Sequence, residues 1–585
     1  MKRTHTCGEL RKTDIDKGAT LQGWINKSRS HGGVLFIDVR DRYGLTQIVI
    51  RPDNKSFKEA ESLRRESVIE ATGMVKGREQ INPNITTGDV ELVVDTLTVH
   101  CAAAPLPVDY DNPEKLTEEH RLKYRYLDLR RPEMQEKLRI RHIAALAARE
   151  YMSSKGFYEI ETPLMVVSTP EGARDYVVPS RINPGKFYAL PQSPQIFKQI
   201  LMVSGFDRYF QLARCLRDED LRKDRQPEHT QIDWEMSFPT IDDIFTIAEG
   251  LMSHIWKKTL DYDIKTPFRR ISHQECLKRY GNDKPDLRFD LELSNVSDVA
   301  ESSEFNVFKE IVKSGGAVKA ICPQAQFTRK EIEEFETIVK QNGAKGIAAI
   351  KVNEEGLEGG PAKFFNQELQ EKLLKRTGAK PGSTILMIAD KIEVVNDCLA
   401  RIRNELGIKL KLYNPKEFVF SWTTDFPFYE WNAKESKWDI GHNPFSMPKE
   451  KDIEMIDVDP GKVFCYQYDL VLNGVELCSG SIRNTYPELL AKLLKVVGHS
   501  FEDVKKKFGF MMEAFQYGVP PHGGMGLGFD RIVALLCYES DIREVIAFPK
   551  NKNAQCPMDG SPNEISKEQL DELHIMLKGM KDQAG

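Results

Sequence analysis

The residues best suited to chemistry fall in three short segments. The densest is CLRDEDLRKDRQPEHTQIDWE, residues 215–235, where Arg217, Asp218, Glu219 and Asp220 are followed by Arg222, Lys223, Asp224 and Arg225. Alternate residues of a strand share a face, so Arg217 and Glu219 are expected to project into one cleft, with 220–226 as a charged loop above it. Arginine offers a planar fork matched to phosphate or carboxylate. Glutamate offers acceptors suited to an adenine amino group. A solvated hairpin has the same charge density, so this segment does not decide alone. The second is GVPPHGGMGLGFDRI, 518–532. Gly523, Gly524, Gly526 and Gly528 let a ligand approach the backbone, and Asp530-Arg531 opens an apolar helical run where phosphate can bind. Neither GxxxxGK[ST] nor a βαβ dinucleotide fingerprint is present. The third, GFYEIETPLM (156–165), reads as a strand carrying an edge proline, Pro163.

These residues need elements to hold them. Five strand-like runs, 20–29, 33–41, 45–51, 68–77 and 90–100, are separated by Gly, Asn and Asp, with a polar helical stretch at 54–65. Five short strands in 1–104 suit a small closed barrel. Residues 105–132 are proline-rich and charged and read as a hinge. Pro132 starts a helix in which Leu138, Ile143, Leu146, Ala147 and Tyr151 are expected to form the apolar stripe and Gly156 the stop. Ser193-Pro194 caps a second helix with a stripe of Ile196, Phe197, Ile200 and Leu201. Residues 285–412, rich in Gly, Lys, Glu and Ala, look like an inserted α+β domain, and strand-rich text resumes at 418–428 and 462–477. A last helix is expected from the Ser566/Gln569 capping box through Leu570, Leu573 and Leu577 to Gly579.

Composition sets the outer limits. A chain of 585 residues suggests about three to five domains. With 83 Lys and Arg against 88 Asp and Glu, the net charge of −5 excludes a strongly basic nucleic-acid coat protein but not a local basic surface. No run reaches the ~18 apolar residues of a membrane span. The opening MKRTHTCGEL has no apolar stretch of the kind a signal peptide needs. The ten cysteines include no CxxC pair, which points to reduced thiols in the cytoplasm.

Taken in order, 156–165, 215–235 and 518–532 resemble motifs 1, 2 and 3 of the class II aminoacyl-tRNA synthetases. The finer text is similar to the bacterial-type aspartyl-tRNA synthetases: TPEGARDYVVPSR (169–181), LPQSPQIFKQILMVSGFDRYFQ (190–211), RDEDLRKDRQPEHTQID (217–233), YGNDKPDLR (280–288), GAKGIAAIKV (343–352) and DIREVIAFPK (541–550). The resemblance runs nearly end to end, insertion included.

It implies an α+β multidomain protein. The expected parts are an OB-fold anticodon-binding barrel (1–104), a hinge (105–132), an antiparallel-sheet catalytic domain in two parts (133–284 and 413–555), a GAD-type insertion (285–412) and a C-terminal extension (556–585). It implies a cytoplasmic homodimer joined through motif 1, with Pro163 at the interface and no membrane association. The substrates are L-aspartate, ATP with Mg²⁺, and tRNA(Asp). The substrate carboxylate is itself the nucleophile, so catalysis rests on positioning and on neutralising phosphate.

Residue by residue, Arg217 would grip the α-phosphate and the reacting carboxylate, and Arg531 the γ-phosphate. Glu219 would face adenine, Gln226 the ATP loop, and Asp218, Gly528, Phe529 and Asp530 would complete the nucleotide site. Asp469 and Glu476, seven apart, would share Mg²⁺, Glu476 also meeting ATP. Lys198 and Arg483 match positions that bind the aspartate side chain, His442 a substrate-facing position, Ser193, Gln195 and Asp233 those around the amino group, and Glu171 the mobile loop that closes over the substrate. Arg29, His31, Phe36, Gln47 and Glu91 match anticodon positions.

The chain departs from the pattern at His442-Asn443, where two histidines are frequent, at Ile388-Ala389-Asp390 in place of Gly-Ala-Asp text, and in the short loop after Lys76. His at position 31 is associated in the family with relaxed anticodon reading, so the alternative is a ligase charging tRNA(Asn) as well as tRNA(Asp). The other rivals are a paralogue passing activated aspartate to ammonia, disfavoured by the barrel, and an inactive RNA-binding relative, disfavoured by the presence of Arg217, Arg531, Asp469 and Glu476.

Overall fold

The computed structural model describes residues 3–109, 112, 115–168 and 173–578. Glu171 and Gly579, and with Glu171 the first four residues of the 169–181 segment, lie outside the described residues. The chain divides into two compact units. One holds 1–138, 547–551 and 555–562, and the other 139–546, 552–554 and 563–585.

In the first unit, Gly18–His31 (β1), Val34–Asp41 (β2), Gly44–Ile50 (β3), Val68–Gly77 (β4) and Val90–Cys101 (β5) close a barrel in the order β1-β2-β3-β5-β4. The period-2 pattern explains it: Leu35, Ile37 and Val39 point inward while Phe36 and Asp38 face out. The parallel pairing of Ile48 with Leu92 seals the ring. Gly73 sits at a register shift where a Cβ would lie 1.9 Å from the Val93 carbonyl oxygen, so only glycine lets these strands approach. The stretch read as a hinge contains two short helices, Glu118–Lys123, capped by Thr117, and Arg125–Asp128.

The second unit is built on an eight-stranded sheet. Its spatial order is Arg269–Ser272, Phe420–Pro427, Phe464–Leu472, Val475–Ile482, His522–Gly528, Glu228–Ser237, Arg208–Leu216 and Tyr158–Glu159. The neighbours pair antiparallel except at the two edges, which pair parallel. Phe245 and Trp256 of the helix Ile241–Leu260 fill the core with Trp234 and Trp422 of the sheet, with Phe245 stacked on Trp422 at 4.1 Å. That helix starts at a reciprocal Thr240–Asp243 capping box.

The helix Pro132–Ser154 forms as expected, but a different stripe is buried. Ile140, Ala144, Ala147, Ala148 and Met152 face the core, whereas Leu146 is 46% exposed. Alanines on the buried face allow close packing, so the bulkiest residues do not mark the inner side. The strand expected across 156–165 shrinks to Tyr158–Glu159.

The inserted segment forms its own five-stranded sheet, ordered Leu293–Asn295, Ala317–Ile321, Thr384–Asp390, Ala348–Asn353 and Gly356–Glu358, with helices and a hydrophobic cluster on each face. Its buried Arg403 donates to the Phe289 and Leu291 carbonyls at 2.8 and 2.9 Å. At the end of the chain the Ser566–Gln569 capping box is present, but the helix covers only Lys567–Glu572. Leu577 lies beyond it and is exposed.

Candidate functional site

A cavity of about 880 Å³ opens on the face of the large sheet where strands Glu228–Ser237, Val475–Ile482 and His522–Gly528 meet the helix Gln195–Val203. That helix starts one residue later than expected: Pro194 occupies the cap position, and Ser193 Oγ accepts from the Gln195 amide at 3.3 Å. Its buried face is Gln195, Ile196, Lys198, Gln199 and Met202, not an apolar stripe. Burying amide and ammonium groups costs free energy unless they are paired, so this face is built for polar chemistry.

At the base of the cavity four charges interlock. Lys198 Nζ lies 2.8 Å from Asp233 and 3.4 Å from Glu235, and Arg483 grips Glu235 with bonds of 2.8 and 3.0 Å. All four side chains are buried. Burial works to raise the Glu235 carboxyl, but Arg483 and Lys198 outweigh it and hold it low. For Asp233 burial wins over Lys198, and its carboxyl is raised. Glu235 was not singled out above, although the run Ile232-Asp233-Trp234-Glu235 sends Ile232 and Trp234 to the core and puts Glu235 on the face of Asp233, which lines the cavity. Asp233 Oδ2 and Gln195 Nε2 are buried without a hydrogen-bond partner, and both belong to cavity-lining residues. Such orphaned atoms suit a polar ligand. Ser193 and His442 line the same wall; burial keeps the His442 imidazole neutral by lowering its pKa.

Arg217 and Glu219 line the outer part, but not through strand alternation. The strand Arg208–Leu216 ends just before Arg217, and both residues sit on the 217–227 loop, whose base is closed by Arg217 N donating to Pro227 O at 2.8 Å. The Arg217 guanidinium donates to the Gln192 carbonyl at 3.3 Å, and Glu219 accepts from Arg225 at 3.0 Å. Gln226 is buried in the lining. Asp218 is turned away from the cavity and pairs with Arg174 at 3.6 Å.

Arg531, on the helix Phe529–Leu536, donates to Glu476 O at 3.0 Å and to Asp224 at 3.1 Å. Gly528 lines the cavity beside it. Asp530 also lines the cavity, but its side chain and that of Phe529 are engaged elsewhere. The Asp530 carboxylate is taken up by Arg141 at 2.6 Å and the Thr230 amide at 2.8 Å. The Phe529 ring is in the core under Arg141, 4.9 Å from its guanidinium. Only the backbone of Phe529 remains to meet a nucleotide. His229, also missed, lies between the arginines; burial and the positive charge of Arg217, Arg531 and Arg214 push it down to about 3, so it is a neutral imidazole.

Asp469 and Glu476 flank a tight turn at Asn473-Gly474, both with positive φ (52° and 85°). The register shift between Leu470 and Val471 brings both carboxylates to the cavity. Burial and then Glu476 raise Asp469 well above the carboxylate range, and its Oδ1 has no hydrogen-bond partner. Two hard oxygen donors, one of them orphaned, fit a divalent cation that completes its shell with water and phosphate. Among the described residues no third His, Cys, Asp or Glu joins them.

On the barrel, Arg29 and Arg78 donate to Gln47 Oε1 at 2.8 and 3.1 Å, and Gln47 Nε2 donates to Glu91 at 2.7 Å. Phe36 pairs across from Arg29 on the outer face, so it is not a core residue. His31 is exposed at the end of β1. This is one polar face with an aromatic platform.

Residues 117–552 match the tRNA synthetases class II (D, K and N), and residues 19–99 match the OB-fold nucleic acid binding domain. The chain is 50% identical to a protein named aspartate–tRNA(Asp/Asn) ligase from Treponema denticola, with 99% of each chain covered. It is 46% identical to a protein named aspartate–tRNA ligase from Ruminiclostridium cellulolyticum, covering 99% of this chain and 98% of that one. In fold it is similar to asparaginyl-tRNA synthetase from Pyrococcus horikoshii complexed with asparaginyl-adenylate, with TM-score 0.60, 19% identity, and coverage of 94% and 98%.

Proposed function

This chain belongs to the class II tRNA synthetases of the D, K and N group, and we propose that it is an aspartate–tRNA ligase. It activates L-aspartate with ATP and transfers it to the 3′ end of tRNA(Asp). The observation that carries the amino-acid assignment is the buried charge balance of Lys198, Arg483, Asp233 and Glu235. Once Asp233 is given to the substrate ammonium, two cations remain against Glu235 alone. One further negative charge, a side-chain carboxylate, completes the balance; asparagine leaves a buried cation uncompensated. An uncompensated buried charge is costly enough to support discrimination of about 10⁴-fold. The test is amino-acid-dependent ATP–pyrophosphate exchange. Aspartate should support it, and exchange with asparagine at a comparable rate would refute the assignment.

In the mechanism, Arg217 holds the α-carboxylate against the α-phosphate and offsets the charge that develops there, while Arg531 exchanges its Asp224 partner for the γ-phosphate. Asp469 and Glu476 would hold Mg²⁺, which when bound neutralises polyphosphate charge. Glu219 and Gln226 face the base, and the backbone at Gly528 leaves it room. Ser193, Gln195 and Asp233 receive the ammonium group, and Glu171 would belong to the loop that covers it.

Asp233 also sets a pH dependence. Its carboxyl is raised, so it takes up a proton sooner than an ordinary aspartate as pH falls. The protonated form cannot balance the substrate ammonium. The KM for aspartate should therefore rise on the acid side while that for ATP changes little, and Asp233→Asn should remove the difference. Equal acid limbs for both substrates would count against the role.

We assign tRNA recognition to the outer face of the barrel, supported by the half-buried, outward-facing Phe36 beside the Arg29–Gln47–Glu91 network. Gln47→Ala should lower kcat/KM for tRNA(Asp) about 10–100-fold and leave pyrophosphate exchange intact. Loss of exchange would mean that the barrel is not a separate reader.

A second reading is a ligase that also charges tRNA(Asn). It is favoured by the exposed His31 and by the Asp/Asn names of relatives at 50% and 48% identity. Charging of the two transcripts side by side decides it. Homodimerisation is supported by Leu146, Tyr158, Leu164, Met165 and Val167, all exposed and apolar on the first catalytic helix and the segment after it. Cytoplasmic residence is supported by ten cysteines, none of them in a disulfide. No described helix is long and apolar enough to cross a membrane.

A further inference from the structure

Of residues 281–288, which join the large sheet to the inserted sheet, Lys284 alone lines the cavity. Its Nζ lies 2.7 Å from Glu476 Oε2 and 3.7 Å from Asp283, and its side chain is 38% exposed. The loop that carries it is held on several sides. Gly281, at φ +77°, ends the helix His273–Tyr280, and a Cβ there would lie 2.4 Å from the Asn396 carbonyl oxygen. The Lys284 amide donates to Asn282 Oδ1 at 3.0 Å, and the Asp283 carbonyl accepts from Thr423 Oγ1 at 2.7 Å. From the inserted sheet, buried Lys319 donates to Leu277 O, Lys278 O and Asn396 Oδ1 at 3.1, 3.4 and 2.7 Å. A loop braced this way delivers one flexible side chain to a fixed place, beside the candidate metal carboxylates and on the same wall as Arg531.

We propose that Lys284 is a phosphate-binding residue of the activation step: it pairs with Glu476 in the open site and turns to the β- or γ-phosphate when ATP enters. This rests on the reading of the cavity as an ATP-cleaving site and adds a residue to it. A partly exposed lysine–carboxylate pair is weak, so exchange for a more highly charged phosphate is favourable. An ammonium on a flexible stem has three donors and can follow a moving leaving group. In the step it serves, an oxygen of the aspartate α-carboxylate bonds to the α-phosphorus. The bond from that phosphorus to the α–β bridging oxygen breaks, and pyrophosphate departs with the electron pair. The charge gained by pyrophosphate develops where Lys284 and Arg531 converge, so both stabilise the transition state.

The test compares wild type, Lys284→Ala and Lys284→Arg in aspartate-dependent ATP–pyrophosphate exchange and in calorimetric binding of α,β-methylene-ATP with Mg²⁺. Lys284→Ala should lower kcat/KM for ATP about 10–100-fold, raise the KM for pyrophosphate, and weaken analogue binding. The KM for aspartate should stay within about twofold, and Lys284→Arg should recover most of the loss, as expected of a charge contact. ATP kinetics and analogue affinity unchanged in Lys284→Ala would overturn the proposal. So would an equal rise in the aspartate KM with a lowered melting temperature that Lys284→Arg does not rescue, since that marks a loop brace. If the wild type itself shows no aspartate-dependent exchange, the site reading fails instead, and analogue affinity still decides on Lys284.

Discussion

Arg217→Ala should lower aspartate-dependent pyrophosphate exchange about 10³-fold or more, the scale seen when a preorganised donor or arginine is removed from charge developing at an acyl or phosphoryl centre. The fold should survive. The Arg217 guanidinium makes a single 3.3 Å bond to the Gln192 carbonyl and points into the cavity, while the bond that closes the loop base belongs to its backbone amide. An unchanged melting temperature with lost exchange would therefore locate the effect in chemistry. Exchange within tenfold of wild type would remove Arg217 from the reaction centre.

Arg483→Ala has a second large effect of a different kind. The side chains of Arg483 and Glu235 are 1% and 0% exposed, and the arginine makes two bonds to the carboxylate. Its removal leaves Glu235 with only the 3.4 Å contact to Lys198. Breaking a buried pair on one side costs about 3–5 kcal/mol, so both stability and aspartate activation should fall. The double variant Arg483→Met with Glu235→Gln separates the two. It removes both charges and should regain most of the stability, because replacing both partners is far milder than orphaning one. It should not regain aspartate, because the guanidinium fork that would hold the substrate carboxylate is gone, even though Lys198 keeps the net charge of the site. A double variant that activates aspartate with a near-normal KM would show that Arg483 is a structural residue only.

The two variants differ because the site uses its cations differently. Lys198 and Arg483 are neutralised at rest by carboxylates of one strand, Arg531 by Asp224 and Lys284 by Glu476. Among the described residues Arg217 has no such carboxylate partner and is met by a carbonyl. Substrates entering this cavity displace internal ion pairs more than they fill an empty field.

Strands and the charged residues gathered at the cavity were the most legible in the sequence. The barrel strands follow a period-2 alternation that survives because each faces one core. Arg217, Lys198, Asp233, Arg483, Asp469 and Glu476 are gathered around one cavity. Helix faces were read less well. Leu146 is exposed and Ala144 buried, since close packing selects small residues that a search for bulky ones passes over. The face of Gln195–Val203 is polar inside because the site lies there. Glu235 and Lys284 escaped notice because their meaning depends on partners far away in sequence, Arg483 and Glu476. Asp530 was read as a ligand group, but its carboxylate is held by Arg141 and Thr230. A charged residue beside a Gly-rich turn serves the turn as readily as it serves a ligand.

The central claim is joined most directly by one measurement: transfer of labelled aspartate to a purified tRNA(Asp) transcript by the purified protein, with ATP and Mg²⁺. The account predicts aspartyl-tRNA(Asp) formed with release of AMP and pyrophosphate, and no asparaginyl product when asparagine replaces aspartate. Absence of charging together with absence of aspartate-dependent pyrophosphate exchange would contradict it.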